Sequence, residues 1–202
     1  VLSATKTAVK NTYSANEDVT YVVSIVNAGT VAVNGLTITD NLGTYVFDTA
    51  NLTPLTYIDG SIKYYVNGVL QPTPTVKSDP PLVISGINIP AGGDVVIVYE
   101  TQVNEFAPSD ANSTITNTAM IAGNGITPIT TEETIEADNE PILTITKSVS
   151  PVPVTENGTL TYTFVIQNSG NTQASEETGV VVTDTFDPVL SNLNVTFNGV
   201  AW

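Results

Sequence analysis

Apolar and polar residues alternate in short runs along this chain, with Val, Ile, Thr and Tyr gathered in the runs and no segment sustaining a helical period. A period of two sends successive side chains to opposite faces of a strand. The pattern therefore predicts strands near 2–9, 19–27, 35–40, 62–66, 82–86, 94–103, 113–122 and 129–136. Clusters of Asn, Gly, Asp and Pro between them supply the turns. The chain reads as all-β. Strands spaced in this way, in a unit of ordinary domain length, favour an immunoglobulin-like antiparallel β-sandwich.

The pattern also repeats. Lys6, Tyr21, Asn27 and Gly29 recur as Lys147, Tyr162, Asn168 and Gly170, each 141 residues later. A shared offset of this length indicates a duplicated domain. Asp40 in TITDNL matches Asp184 in VTDTF after an insertion around Ser175 and Thr178, and VNGV ending at Val69 resembles FNGV ending at Val200. The expected organisation is one complete domain over 1–137, a linker over 138–141, and the first half of a second domain over 142–202. A half-sandwich exposes apolar surface and unpaired strand edges, so the chain is expected to be a piece of a longer protein.

Several polar residues fall on apolar faces. In the second copy Lys147 shares a face with Leu143, Ile145 and Val149, and Lys6 holds the same place in the first. Asp40 shares its face with Leu36, Ile38 and Leu42; Asp184 follows Val180 and Val182 and precedes Phe186; Asn117 lies with Ile115, Ala119 and Ile121. Burial of an unpaired ammonium lowers a lysine pKa by up to ~3–5 units, and the neutral amine is a nucleophile. Such an amine on Lys6 can attack the side-chain carboxamide of Asn117. Asp40, kept protonated by the same apolar surroundings, would hydrogen-bond the amide oxygen and shuttle protons as ammonia leaves, giving an isopeptide bond. The competing reading is a buried polar cluster or a Lys–Asp ion pair, which cores hold when every member is hydrogen-bonded. An ion pair alone stabilises little once desolvation is counted. Lys10 shares the parity of Lys6, but it precedes the turn-like NTYSANED, where the strand is expected to have ended.

Composition removes other chemistries. The 202 residues are 41% apolar and carry 20 acidic residues against five lysines and no arginine, for a net charge of −15. Nucleic acid and anionic membranes, which need basic side chains, are not expected partners. Without cysteine or histidine the chain builds neither disulfides nor a Ser-His-Asp or Cys-His device, and a tetrahedral zinc site is not expected. No stretch approaches the ~20 apolar residues of a membrane span. The acidic run EADNEP, from Glu136 to Pro141, invites calcium. The ~6–8 oxygen ligands usually needed are not visible in one run, so a solvated linker without a cofactor is the expectation.

A lysine in the first strand, an aspartate in a middle strand and an asparagine near the end, in that order, resemble the isopeptide-forming immunoglobulin-like domains of Gram-positive surface proteins. That type was first described in the A region of a collagen adhesin. The segments TYTFVIQNSG, from Thr161, and VVVTDTF, ending at Phe186, are similar to a tandem repeat domain of large bacterial surface proteins. The resemblance implies an extracellular, cell-wall-associated stalk module whose partners are neighbouring repeats, cross-linked once rather than turning over substrate. It makes Lys6 and Asn117 the bonded pair and Asp40 the catalytic acid. Lys147 and Asp184 are then a half-site, since the second copy has no late-strand asparagine. The alternative is an adhesin domain that binds a host or neighbouring protein through its loops, with the Lys, Asp and Asn side chains an unreacted network.

Overall fold

The computed structural model describes residues 1–123, 125–175, 177 and 179–202. The chain divides into two compact units, Val1–Ile142 with Gly170–Thr172, and Leu143–Ser169 with Gln173–Trp202. The first unit contains β1 (Leu2–Ala8), β2 (Thr12–Tyr13), β3 (Asp18–Asn27), β4 (Val33–Asp40), β5 (Tyr45–Phe47), β6 (Ala50–Leu52) and β7 (Leu55–Tyr57). It continues with β8 (Lys63–Val66), β9 (Val69–Leu70), β10 (Thr75–Lys77), β11 (Leu82–Ile89), β12 (Asp94–Val103), β13 (Thr114–Ala122) and β14 (Ile129–Ala137). One sheet runs β1-β3-β12-β8-β9, with β7 also paired to β12, and the other runs β10-β11-β4-β13-β14-β2.

Alternation decides which side of each strand is buried. In β3, Val19, Tyr21, Val23, Ile25 and Asn27 are buried, while the residues between them face outward. In β4 of the other sheet, Leu36, Ile38 and Asp40 are buried by the same rule. The inner faces of the two sheets join in a single apolar core, where each fully buried Leu, Ile or Val contributes about 1.5–3 kcal/mol. Asn27 closes β3 with an Asx turn, its Oδ1 accepting from the Gly29 N–H at 3.0 Å.

The long strands appear where the alternation puts them, and the departures have local causes. The strand expected over 82–86 continues to Ile89 through a bulge at Gly86, whose φ is +84°. The extra residue returns Ile87 and Ile89 to the core and breaks the period on which the reading relied. The short strands β5, β6, β7, β9 and β10 lie in the excursion between β4 and β11. There the runs are too short for alternation to register.

In the second unit, β15 (Leu143–Ser150) pairs with β16 (Thr161–Asn168), and β17 (Thr196–Phe197) pairs with β18 (Val200–Ala201). Leu143 faces Asn168 as Leu2 faces Asn27, so the duplicated registers are the same. The Asn67-Gly68 hairpin between β8 and β9 is likewise repeated at Asn198-Gly199, with both residues of each pair at positive φ. That is the geometry two-residue hairpins select.

The strand expected around Asp184 does not form: 180–186 carries no strand pairing. In the first unit β4 is held on both sides, by β11 and β13, and neither neighbour has a counterpart among the described residues of the second. The expected insertion includes Glu176 and Thr178, which lie outside the described residues. Leu143, Ile145 and Val149 remain exposed.

Candidate functional site

The inward parity of Lys6, Asp40 and Asn117 brings all three into the core of the first unit. Lys6 lies in β1, opposite Val23 of β3, and is 3% exposed. Its Nζ donates a short hydrogen bond to Oδ2 of Asp40, the fully buried last residue of β4. The Tyr99 hydroxyl, from β12, donates to the same Oδ2. The other carboxylate oxygen, Oδ1, accepts from the Leu42 N–H at 2.9 Å, where the chain turns through Leu42 at φ +53°. Asp40 thus joins a lysine and a tyrosine of one sheet to the end of a strand in the other.

Asn117 belongs to β13, two residues before Ala119, which pairs with Asp40. Its side chain is fully buried, yet neither Oδ1 nor Nδ2 is in hydrogen-bonding geometry with any group, and the buried Tyr21 hydroxyl is equally unpartnered. Tyr21 and Tyr99 are cross-strand neighbours with stacked rings 5.9 Å apart. The Lys6 amine stands 5.0 Å from the centre of the first ring and 5.9 Å from the second. The hydrogen bond expected from Asp40 to the amide oxygen is not made. Both carboxylate oxygens are already engaged, Oδ1 by the Leu42 N–H and Oδ2 by Lys6 and Tyr99 together.

Burial sets the electrostatics. It pushes the Lys6 amine below the ordinary lysine range, opposed by Asp40 and more weakly by Glu133. Glu133 faces Asn117 across the β13–β14 ladder. Burial also drives the Tyr21 and Tyr99 phenols up, and the negative charge of Asp40 adds to both shifts. Asn117 is close enough to act on both phenols in the opposite sense. Desolvation of this kind favours the neutral form of a lysine amine, which is a nucleophile.

The second copy reproduces only part of this. Lys147 Nζ contacts both oxygens of Asp184, at 2.8 and 2.7 Å, and lies 4.6 Å from the Tyr162 ring. Its side chain is 39% exposed and that of Asp184 is 21% exposed. Lys10 lies beyond the end of β1, exposed, and bonds Glu17 at 2.7 Å and Asp138 at 3.4 Å. Asp138 in the acidic run accepts from the Ser14 hydroxyl at 2.8 Å, and the Ser14 and Thr12 hydroxyls hold it below the usual carboxylate range. Among the described residues no group of three or more acidic, His or Cys side chains converges to hold a metal ion.

Sequence reasoning missed Tyr99. Its parity with Val95 and Ile97 marks it as inward-facing, but its bond to Asp40 spans 59 positions and both sheets, and alternation along one strand carries no such signal.

The chain matches no protein-family model, and no curated protein matches it either. Among solved structures, a variant of BcpA, the major pilin subunit of Bacillus cereus, is similar over 84% of this chain and 56% of its own, with a TM-score of 0.53 and 10% identity. The pilus backbone protein RrgB of Streptococcus pneumoniae is similar over 60% of this chain and 31% of its own, with a TM-score of 0.48 and 11% identity. A collagen-binding domain from a Staphylococcus aureus adhesin is similar over 66% of this chain and 96% of its own, at 0.41 and 14%. This chain therefore spans about half the length of the BcpA subunit. The likeness to BcpA is one of fold, an all-β immunoglobulin-like sandwich, as the strand pattern predicts.

Proposed function

We propose that this chain is a structural stalk module of a bacterial cell-surface or fimbrial protein, and that its first unit is locked by an isopeptide bond between Lys6 and Asn117 formed with the help of Asp40. One observation carries the reading. A lysine whose amine is depressed by burial sits against a carboxylate and two phenols, and the buried Asn117, whose carboxamide has no hydrogen-bond partner, is close enough to act on both phenols. Native cores rarely leave such groups unsatisfied, and an orphaned polar group costs about 1–3 kcal/mol. Reaction removes the amide nitrogen altogether. The sandwich fold shared with a pilin subunit agrees with a structural role, and the absence of cysteine excludes a disulfide as the covalent tie.

In the reaction, the Lys6 Nζ lone pair attacks Cγ of Asn117 and the carbonyl electron pair moves to Oδ1. The carbonyl re-forms as the bond from Cγ to Nδ2 breaks. Nζ gives up one proton, Nδ2 gains one, and ammonia leaves. Asp40 holds that proton in between.

The test is intact mass spectrometry of the purified chain. The cross-link makes it about 17 Da lighter than its sequence, the mass of the ammonia expelled by nucleophilic attack. Asp40→Ala restores the full mass with Lys6 and Asn117 still present. A wild-type chain at its full sequence mass overturns the proposal.

A further inference from the structure

Asp40 and Asn117 are not in contact through any hydrogen bond, although the reaction proposed above requires a proton to pass between them. Oδ1 of Asp40 is held by the Leu42 N–H, so a proton taken from Lys6 arrives on Oδ2. The other group on Oδ2 is the Tyr99 hydroxyl. A hydroxyl has one donor and two acceptor positions and rotates to suit its partners. Tyr99 is fully buried and stacked on Tyr21, which fixes its ring while leaving the O–H free to turn.

We propose that Tyr99 is the proton relay of this site, accepting from the acid form of Asp40 and donating to the departing nitrogen of Asn117. The inference rests on the cross-link reading. In the resting core Tyr99 donates to Asp40. Once Lys6 has passed a proton to Oδ2, the bond reverses: Asp40 donates to the phenol oxygen and the phenol proton turns toward Nδ2. In the tetrahedral adduct, Nζ returns a proton to Asp40 as the relay protonates Nδ2. The bond from Cγ to Nδ2 then breaks and its electron pair leaves with ammonia. Tyr99 ends with one proton, as it began, Asp40 ends as the neutral acid holding the proton that Lys6 first passed to it, and no phenolate forms inside the core. Tyr21 faces the same carboxamide but has no hydrogen bond to Asp40, since its hydroxyl is unpartnered. It is therefore outside the relay.

Asn117 lies two residues along β13 from Ala119, which pairs with Asp40, the residue that Tyr99 bonds, and the carboxamide acts on the phenol against the larger effects of burial and Asp40. A phenol held in its neutral form across the ordinary pH range suits a group that passes protons without keeping or losing one.

The experiment follows the loss of ammonia by mass after a short cell-free synthesis of the whole chain, with samples quenched in acid at intervals. Tyr99→Phe keeps the stacked ring and is expected to slow the cross-link by about 100-fold or more, the range for loss of a proton-transfer group. Tyr13→Phe, which removes a buried hydroxyl that is bonded instead to the Pro108 carbonyl, should react at close to the wild-type rate. A merely structural role is tested separately by placing 3-fluorotyrosine at position 99 alone. It preserves shape and hydrogen bonding but makes the phenol more acidic, so a relay changes rate several-fold and a structural contact does not. Tyr99→Phe or the fluorinated chain reacting at the wild-type rate overturns the relay alone. A wild-type chain that never loses ammonia overturns the cross-link and the relay together.

Discussion

Replacing Asn117 by leucine separates the cross-linked core from an unreacted one by the sign of a stability change. Leucine has the same forked shape as asparagine but carries no polar atoms and cannot form the bond. If the bond exists, the substitution reopens a loop of 111 residues between positions 6 and 117, releasing chain entropy in the unfolded state worth about 5 kcal/mol. For a unit of this size, that corresponds to a fall in Tm of about 10–20 °C. If Lys6 and Asn117 are unreacted, the same substitution removes two buried atoms that have no partner. The chain should then be stabilised by about 1–3 kcal/mol. Guanidinium unfolding followed by the near-UV signal of the buried tyrosines measures the difference. A second signature guards against overpacking by the leucine methyls: loss of a cross-link lets the unfolded chain expand, so the denaturant slope rises as the midpoint falls. A variant as stable as wild type, with an unchanged slope, refutes the covalent argument.

Two further predictions follow from other parts of the first unit. Tyr13 is buried, its hydroxyl donates to the Pro108 carbonyl at 2.6 Å, and burial pushes its pKa up to about 12. The folded state thus holds this proton more tightly than the unfolded state, whose tyrosines titrate near ~10. Its stabilisation is complete below about pH 10 and is lost as the pH rises towards 12, at about 1.4 kcal/mol per unit. Thermal melts between pH 9 and 12 should fall less steeply for Tyr13→Phe, and an identical slope contradicts the assignment. Under tension applied through handles at positions 1 and 138 of the whole chain, the cross-link shields everything between Lys6 and Asn117. Only the residues before Lys6 and the β13–β14 segment after Asn117 can then extend, by about 90 Å in total at ~3.5 Å per residue. Lys6→Ala should lengthen to several times that in optical-tweezer records, and equal extension by the two proteins contradicts the shielding.

The inward placement of the three residues was legible in the sequence because strand alternation is rigid. Lys6, Asp40 and Asn117 each follow the parity of their apolar neighbours, and all three are buried. The same rule stopped at Gly86, where one inserted residue reverses the faces. It also gave no account of Tyr99, because hydrogen bonds between sheets depend on how the layers are stacked rather than on the period within a strand. The two Asn-Gly hairpins were visible as a repeated motif, and their turn type was recoverable from the dipeptide. The failure at 180–186 has a different origin. VVVTDTF has every local property of a strand, but a strand is defined by its neighbours, and β4 owes its order to β11 on one side and β13 on the other.

The duplicated lysines separate two properties that the sequence presents as one. Contact between lysine and aspartate is encoded within each copy: the β1–β3 register recurs in β15–β16, and the carboxylate reaches the amine in both. It survives even where the aspartate lies outside any strand. Dehydration of the amine is not encoded there. Around Lys6 it requires Tyr21 and Tyr99 from one sheet, closed by Asp40 and Asn117 from the other, while the Lys147 side chain remains 39% exposed. Because desolvation is the leading cause of the Lys6 shift and Asp40 opposes it, an ion pair by itself works against nucleophilicity. On the proposed cross-link, reactivity would therefore belong to the closed sandwich, and bond formation would be coupled to completion of the core, with the amine losing its water once β13, carrying Asn117, is in place.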